Sequence, residues 1–230
     1  MMRKAGIITG MIFGVLALIV LIYEAGYTHR YRYRLTVEVE VDGQIKSGSR
    51  VIEVISRPDL VPGRPLRYMT TFRGEAVYVD LGQRGNLFAL LSAPDGFGAA
   101  FLPDKVFFRY PVSASPEEQK SRFAEFKRLA QRRTLRELQI SQLPILVTFK
   151  DPNDPKSVTE VFPNDFAATF GPRVRLKRAT LEMTDEPVAT GIENILPWVS
   201  SMKTYLDRQS ISRTRNPANR LSSADFKSNL

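Results

Sequence analysis

The chain of 230 residues has no cysteine, one histidine (His29) and one tryptophan (Trp198). Without cysteine there is no disulfide, no thiolate metal site, no Cys nucleophile and no lipid-modified N-terminal cysteine. One imidazole cannot build a histidine-rich zinc centre. A Ser-His-Asp machine would have to be assembled around His29, five residues beyond Glu24. Phosphate-cradling glycine patterns are missing too. Gly82-Gln83-Arg84-Gly85-Asn86 matches neither G-x-G-x-x-G nor G-x-x-x-x-G-K-[ST], and it joins two strand-like runs, so it reads as a hairpin turn. Asp151-Pro152-Asn153-Asp154-Pro155 offers oxygen ligands to calcium but lacks the EF-hand spacing, and its prolines account for it as a rigid turn. Ser200 and Lys203 stand at S-x-x-K spacing, a four-residue pattern of common residues. No catalytic residue, cofactor or metal is expected on these grounds.

What the chain does have is one long apolar run and an excess of basic charge. Residues 5–23, AGIITGMIFGVLALIVLIY, carry no charge, with Arg3 and Lys4 before them and Glu24 after. As a helix, 19 residues reach about 28 Å, close to the roughly 30 Å of a bilayer's hydrocarbon layer. The run predicts an uncleaved transmembrane signal-anchor behind a four-residue basic N-terminus. A cleaved signal is the rival, but the run exceeds the usual apolar core, and Tyr23-Glu24-Ala25 puts a bulky residue at −3. Gly10 and Gly14, spaced G-x-x-x-G, are candidates for helix packing in the membrane, including a homodimer. Arg3, Lys4, Tyr27, Arg30, Tyr31, Arg32, Tyr33 and Arg34 are the candidate membrane-interface residues, since tyrosine and arginine suit the headgroup level. Basic residues flank both sides, but a short basic N-terminus ahead of one span predicts a periplasmic domain at the inner membrane.

Past the run, the composition is that of a globular chain, with enough length for one large domain or two small ones. Lys and Arg number 33 against 24 Asp and Glu, a net charge of +9. Residues 116–139 hold seven Lys/Arg and four Glu, and residues 206–230 hold five Lys/Arg and two Asp. Such surfaces attract anionic lipid, nucleic acid or an acidic protein partner; a solvated basic face is the plainer account.

Periodicity outlines the elements. Tyr31, Tyr33, Leu35, Val37, Val39 and Val41 alternate with charged or polar residues, the clearest strand in the chain. Asp42-Gly43 then suits a tight hairpin. Further strands are read at 50–56, 75–81, 87–91, 106–110, 143–149 and 158–162. Residues 174–184 alternate with a phase slip that suggests a bulge. Ser115, Pro116 and Glu118 form a capping-box start. The helix they open, expected over 116–139, carries Lys120, Arg122, Lys127, Arg128, Arg132, Arg133 and Arg136 as a basic surface beside a stripe containing Phe123 and Phe126. Residues 192–202 suggest a short helix broken at Pro197, and 206–230 read as a disordered basic tail.

The fold class expected is α+β: a transmembrane helix, then a β-rich, mainly antiparallel domain over 27–205 with one long basic amphipathic helix. That domain has the alternative of two subdomains, 27–114 and 140–205, joined by helix 116–139. RYRYRLTVEVEVDGQIKSGSRVIEV and FKDPNDPKSVTEV–FGPRVRLKRATLEMTDEPV resemble uncharacterised single-pass membrane proteins of proteobacteria over about two thirds of the chain. The resemblance implies a membrane address and no activity, cofactor or functional residue. The function expected is binding or scaffolding, with the bilayer and a protein as partners. The alternatives are a cytoplasm-facing basic module on anionic lipid or nucleic acid and, behind it, a membrane-tethered hydrolase.

Overall fold

The computed structural model describes residues 14, 15, 18, 27–59, 67–96, 98–108, 115–202, 205–207 and 217–229. Strand β1 (His29–Val41) turns through Asp42 and Gly43 into β2 (Gln44–Asp59). Both turn residues have positive φ, 50° and 85°, the requirement of the hairpin that this Asp-Gly pair favours. β2 pairs with β3 (Arg67–Glu75), whose far edge receives β10 (Lys227–Asn229). β1 pairs on its other side with β9 (Val174–Thr184), and β9 with β6 (Leu135–Glu137). The result is a six-stranded antiparallel sheet in the order β10-β3-β2-β1-β9-β6. A second sheet, also antiparallel, contains β4 (Val77–Asp80), β5 (Asn86–Ala89), β7 (Leu146–Phe149) and β8 (Val158–Val161), in the order β4-β5-β7-β8. Helices with both ends among the described residues are α1 (Leu102–Phe107), α2 (Pro116–Gln131) and α3 (Phe166–Phe170), beside several 3-10 turns.

Alternation along β1 sends Leu35, Val37 and Val39 inward, where they meet Ile52 and Val54 of β2 and Val77 and Val79 of β4. Phe126 and Ala130 of α2 cover the same face nearer the start of β1. The small sheet is buried on both sides. Its other face, with Phe88, Val147 and Phe149, packs against Ile192, Leu196, Trp198, Leu206, Leu221 and Phe226. This is why β5 is buried at all four residues rather than at every second one. In β9, Lys177 is the extra residue between the pairs Glu38–Arg178 and Val39–Leu176. The bulge re-phases the strand, so Val174 and then Ala179, Leu181 and Met183 all reach the core.

Several expectations are corrected. The fold is mainly antiparallel β in two sheets with few helices, not an α+β fold led by a membrane span. Among the described residues no helix is long and apolar enough to cross a membrane, which overturns the transmembrane and signal-anchor reading for those residues. Of the run 5–23, only Gly14, Val15 and Leu18 are described, all helical; Gly10 and the rest lie outside the described residues. The long helix stops at Gln131 instead of near 139, because Arg133 takes a left-handed φ of 49° and turns the chain into β6. Residues 102–107 are helical, so 106 and 107 of the strand expected over 106–110 belong to a helix, with Pro103 suited to its first turn; 109 and 110 lie outside the described residues. Strand 75–81 is interrupted at Ala76, where the chain passes from one sheet to the other. Residues 192–202 hold only the 3-10 turn Ile192–Asn194.

Two subdomains do not form either, since β1 pairs with β9 and β5 with β7 across the proposed divide. Finally, the described parts of 206–230 are not a disordered tail. Ala218 and Phe226 are fully buried, and β10 is hydrogen-bonded into the large sheet. A few well-placed apolar residues bury against the small sheet although the segment's average composition is polar.

Candidate functional site

The alternation that makes β1 also decides the fate of the expected interface residues. Tyr31 and Tyr33 are on the inner face and buried. Tyr31 stacks on Phe126 at 4.2 Å, and the Tyr33 hydroxyl donates to the Ala99 carbonyl at 2.7 Å. Burial pushes both phenols well above their ordinary range. They are core residues, not a headgroup belt. Tyr27 is half-buried and Arg30 exposed, while Arg3 and Lys4 lie outside the described residues. Arg32 and Arg34 point to the outer face of the large sheet. Arg34 pairs with Glu182 at 3.4 Å and with Glu186. The same face carries Glu38–Arg178 and Glu40–Arg175, each at 2.8 Å. Much of the basic charge is thus spent in cross-strand pairs.

The basic helix divides in the same way. Arg122 is not at the surface: it is buried and bonded at 3.0 Å to buried Asp104, with its guanidinium 5.1 Å from the Phe108 ring centre. Burial raises Asp104 to about 6 against the opposing pull of Arg122. Arg128 pairs with Glu125 at 3.2 Å, and Arg133 reaches Glu182 at 3.0 Å and Glu186 at 2.9 Å. Lys120, Lys127, Arg132 and Arg136 remain exposed with no ion pair among the described residues. Leu135 and Ile140, directly beside this stretch in the chain, are more than half exposed.

The residues considered for catalysis do not assemble. His29 stacks on Phe123 at 4.1 Å and faces Tyr68; burial and nearby Lys120 hold its imidazole below the ordinary value. Asp151 and Asp154 serve their own turn, accepting from the amides of Asn153 and Lys156. Ser200 bonds to Glu193 at 3.1 Å, and Lys203 lies outside the described residues. Among the described residues no three metal-ligating side chains converge.

A cleft of about 280 Å³ opens on the outer face where β3, β10 and the segment after β9 meet, lined by Arg32, Arg73, Glu75, Val188, Thr190 and Asn229 among others. Beside it, Glu53 is 1% exposed and lies between two arginines. Arg32 Nη2 stands 2.7 Å from Glu53 Oε1 and Arg73 Nε 2.7 Å from Oε2. Glu75, equally buried, accepts from the amides of Gly191 and Ile192 and so ties down the loop that edges the cleft. The Ser228 hydroxyl is engaged with the Phe72 carbonyl. Both carboxylates are thus paired with neighbouring cations or amides, and the hydroxyl with a carbonyl. Sequence reading missed it, although one signal was present: Glu53 is the only charge inside the apolar run VIEVI.

No family model, curated protein or solved structure matches this chain.

Proposed function

We propose that the domain acts by binding, as a recognition or scaffolding unit that engages an acidic protein partner through the surface of α2 and β6. The observation carrying this reading is the set Lys120, Lys127, Arg132 and Arg136, exposed and without ion pairs among the described residues while neighbouring cations are committed. Lys120 and Lys127, about two turns apart, share one stripe of the helix. The exposed Leu135 and Ile140 add apolar contact. Glu117, Glu125 and Glu137 interrupt the positive field, and the two aromatic rings of this stretch are already engaged within the fold, Phe123 stacked on His29 and Phe126 buried against Tyr31. That mixture favours a protein with carboxylates over a polyphosphate chain.

The test compares the full chain with a variant carrying K120E, K127E, R132E and R136E. Each is titrated at low salt with a polyglutamate peptide, a duplex DNA and phosphatidylserine vesicles. Salt-sensitive binding of the peptide, lost in the variant, supports the reading. Binding of only DNA or vesicles, or peptide binding that survives charge reversal, overturns it.

A further inference from the structure

The cleft beside Glu53 holds an arginine that is positioned but not used up. Arg73 is ion-paired with Glu53, its Nε 2.7 Å from Oε2 although the two atoms do not align as a hydrogen bond, and the other carboxylate oxygen of Glu53 is held by Arg32. Arg32 has a partner at each of its three nitrogens: Nε and Nη2 face Glu53, and Nη1 donates to the Asp185 carbonyl at 3.2 Å. By contrast, Nη1 and Nη2 of Arg73 make no hydrogen bond among the described residues, and the side chain is 43% exposed at the cleft wall. A guanidinium ion-paired at its Nε end leaves its two terminal nitrogens as a planar fork, the shape that matches two oxygens of one anion.

The surroundings agree with a single negative charge. Arg32, Arg50, Arg73 and Lys227 outnumber Glu53, Glu75 and Glu193 by one, and these groups are linked by the contacts between Arg50 or Lys227 and Glu75 and between Lys227 and Glu193. We propose that this cleft is an oxyanion-binding site in which the free edge of Arg73 takes a carboxylate or phosphate group. At about 280 Å³ the space admits a small acid and not a nucleotide. Pro187 and Val188 on the lining provide an apolar wall for a short tail. This site stands apart from the α2–β6 surface, and neither reading depends on the other.

The full chain is titrated separately with sodium acetate and inorganic phosphate at constant ionic strength, with sodium chloride as the control. The readout is the backbone amide shifts of Gly74, Thr190 and Asn229. Saturating shifts with either anion and none with chloride are expected; whichever saturates identifies the group bound. Arg73→Lys retains the charge, discards the planar fork and is expected to weaken binding at least about tenfold. Arg73→Gln is expected to abolish it, while Lys150→Gln leaves it unchanged. Non-saturating shifts equal to those in chloride, or affinity in Arg73→Lys within tenfold of the parent, would overturn the assignment. Because Arg73→Gln also removes a partner from buried Glu53, the lysine variant decides the question if the glutamine variant fails to fold.

Discussion

Gly48 of β2 lies so close to Tyr78 of β4 that a Cβ at position 48 would stand 1.8 Å from the Tyr78 carbonyl oxygen. The two sheets touch here backbone to backbone, and the missing side chain sets their separation. Backbone cannot rotate away as a long side chain can, so Gly48→Ala must push the sheets apart. We expect it to cost at least about 3 kcal/mol, or to prevent folding, in urea denaturation. Gly82→Ala meets open space at a positive φ of 63° and should cost only about 1 kcal/mol.

The buried Asp104–Arg122 pair predicts a definite pH dependence. Asp104 titrates at about 6 in the folded chain, above its ordinary carboxyl value near 3.8. The native state therefore binds more protons than the unfolded state between those values, and this group's contribution to stability falls as pH rises through that window. The full swing is on the order of 2–3 kcal/mol. His29 acts in the opposite sense: its lowered value means stability lost on acidification below its ordinary range. Urea midpoints measured from pH 4 to 7.5 should show the parent's advantage over Asp104→Asn shrinking up to about pH 6 and flat above. A midpoint difference that does not vary with pH would refute the assignment.

Phe226 tests whether the end of the described chain is structural. It is fully buried and packs edge-on against Trp198 at 5.4 Å, while the indole N–H donates to the Pro152 carbonyl at 2.8 Å. Phe226→Ala should cost about 3–5 kcal/mol and shift the emission of the single tryptophan to longer wavelength under native conditions. Unchanged emission and stability would show that 217–229 is dispensable.

At the start of α2, Ser115 Oγ accepts from the Glu118 amide at 3.2 Å. Ser115→Ala should cost about 1 kcal/mol, and Ser115→Asp should recover most of it, read by thermal denaturation.

Of these relationships, the capping serine and the Asp42-Gly43 hairpin were legible in the sequence, because each depends on residues within a few positions of one another. The alternation in β1 and the phase slip in β9 were legible for the same reason. The cleft was not: Arg32, Glu53 and Arg73 meet only when three strands align in register. Nor could the chain alone say which of the basic residues at 116–139 stay free, since their partners Asp104, Glu182 and Glu186 come from elsewhere in the fold.

The sequence by itself determined local geometry, the absence of thiol and multi-histidine chemistry, and the excess of positive charge. The tertiary structure decided which faces are covered. Period-two alternation states that Tyr31 and Tyr33 share a side, and only the packing of α2 and the Ala99–Phe101 segment makes that side the interior. The same holds for Phe226, whose polar neighbours conceal a residue that fills the second core. Burial and charge pairing are sums over distant segments, and no local pattern contains them.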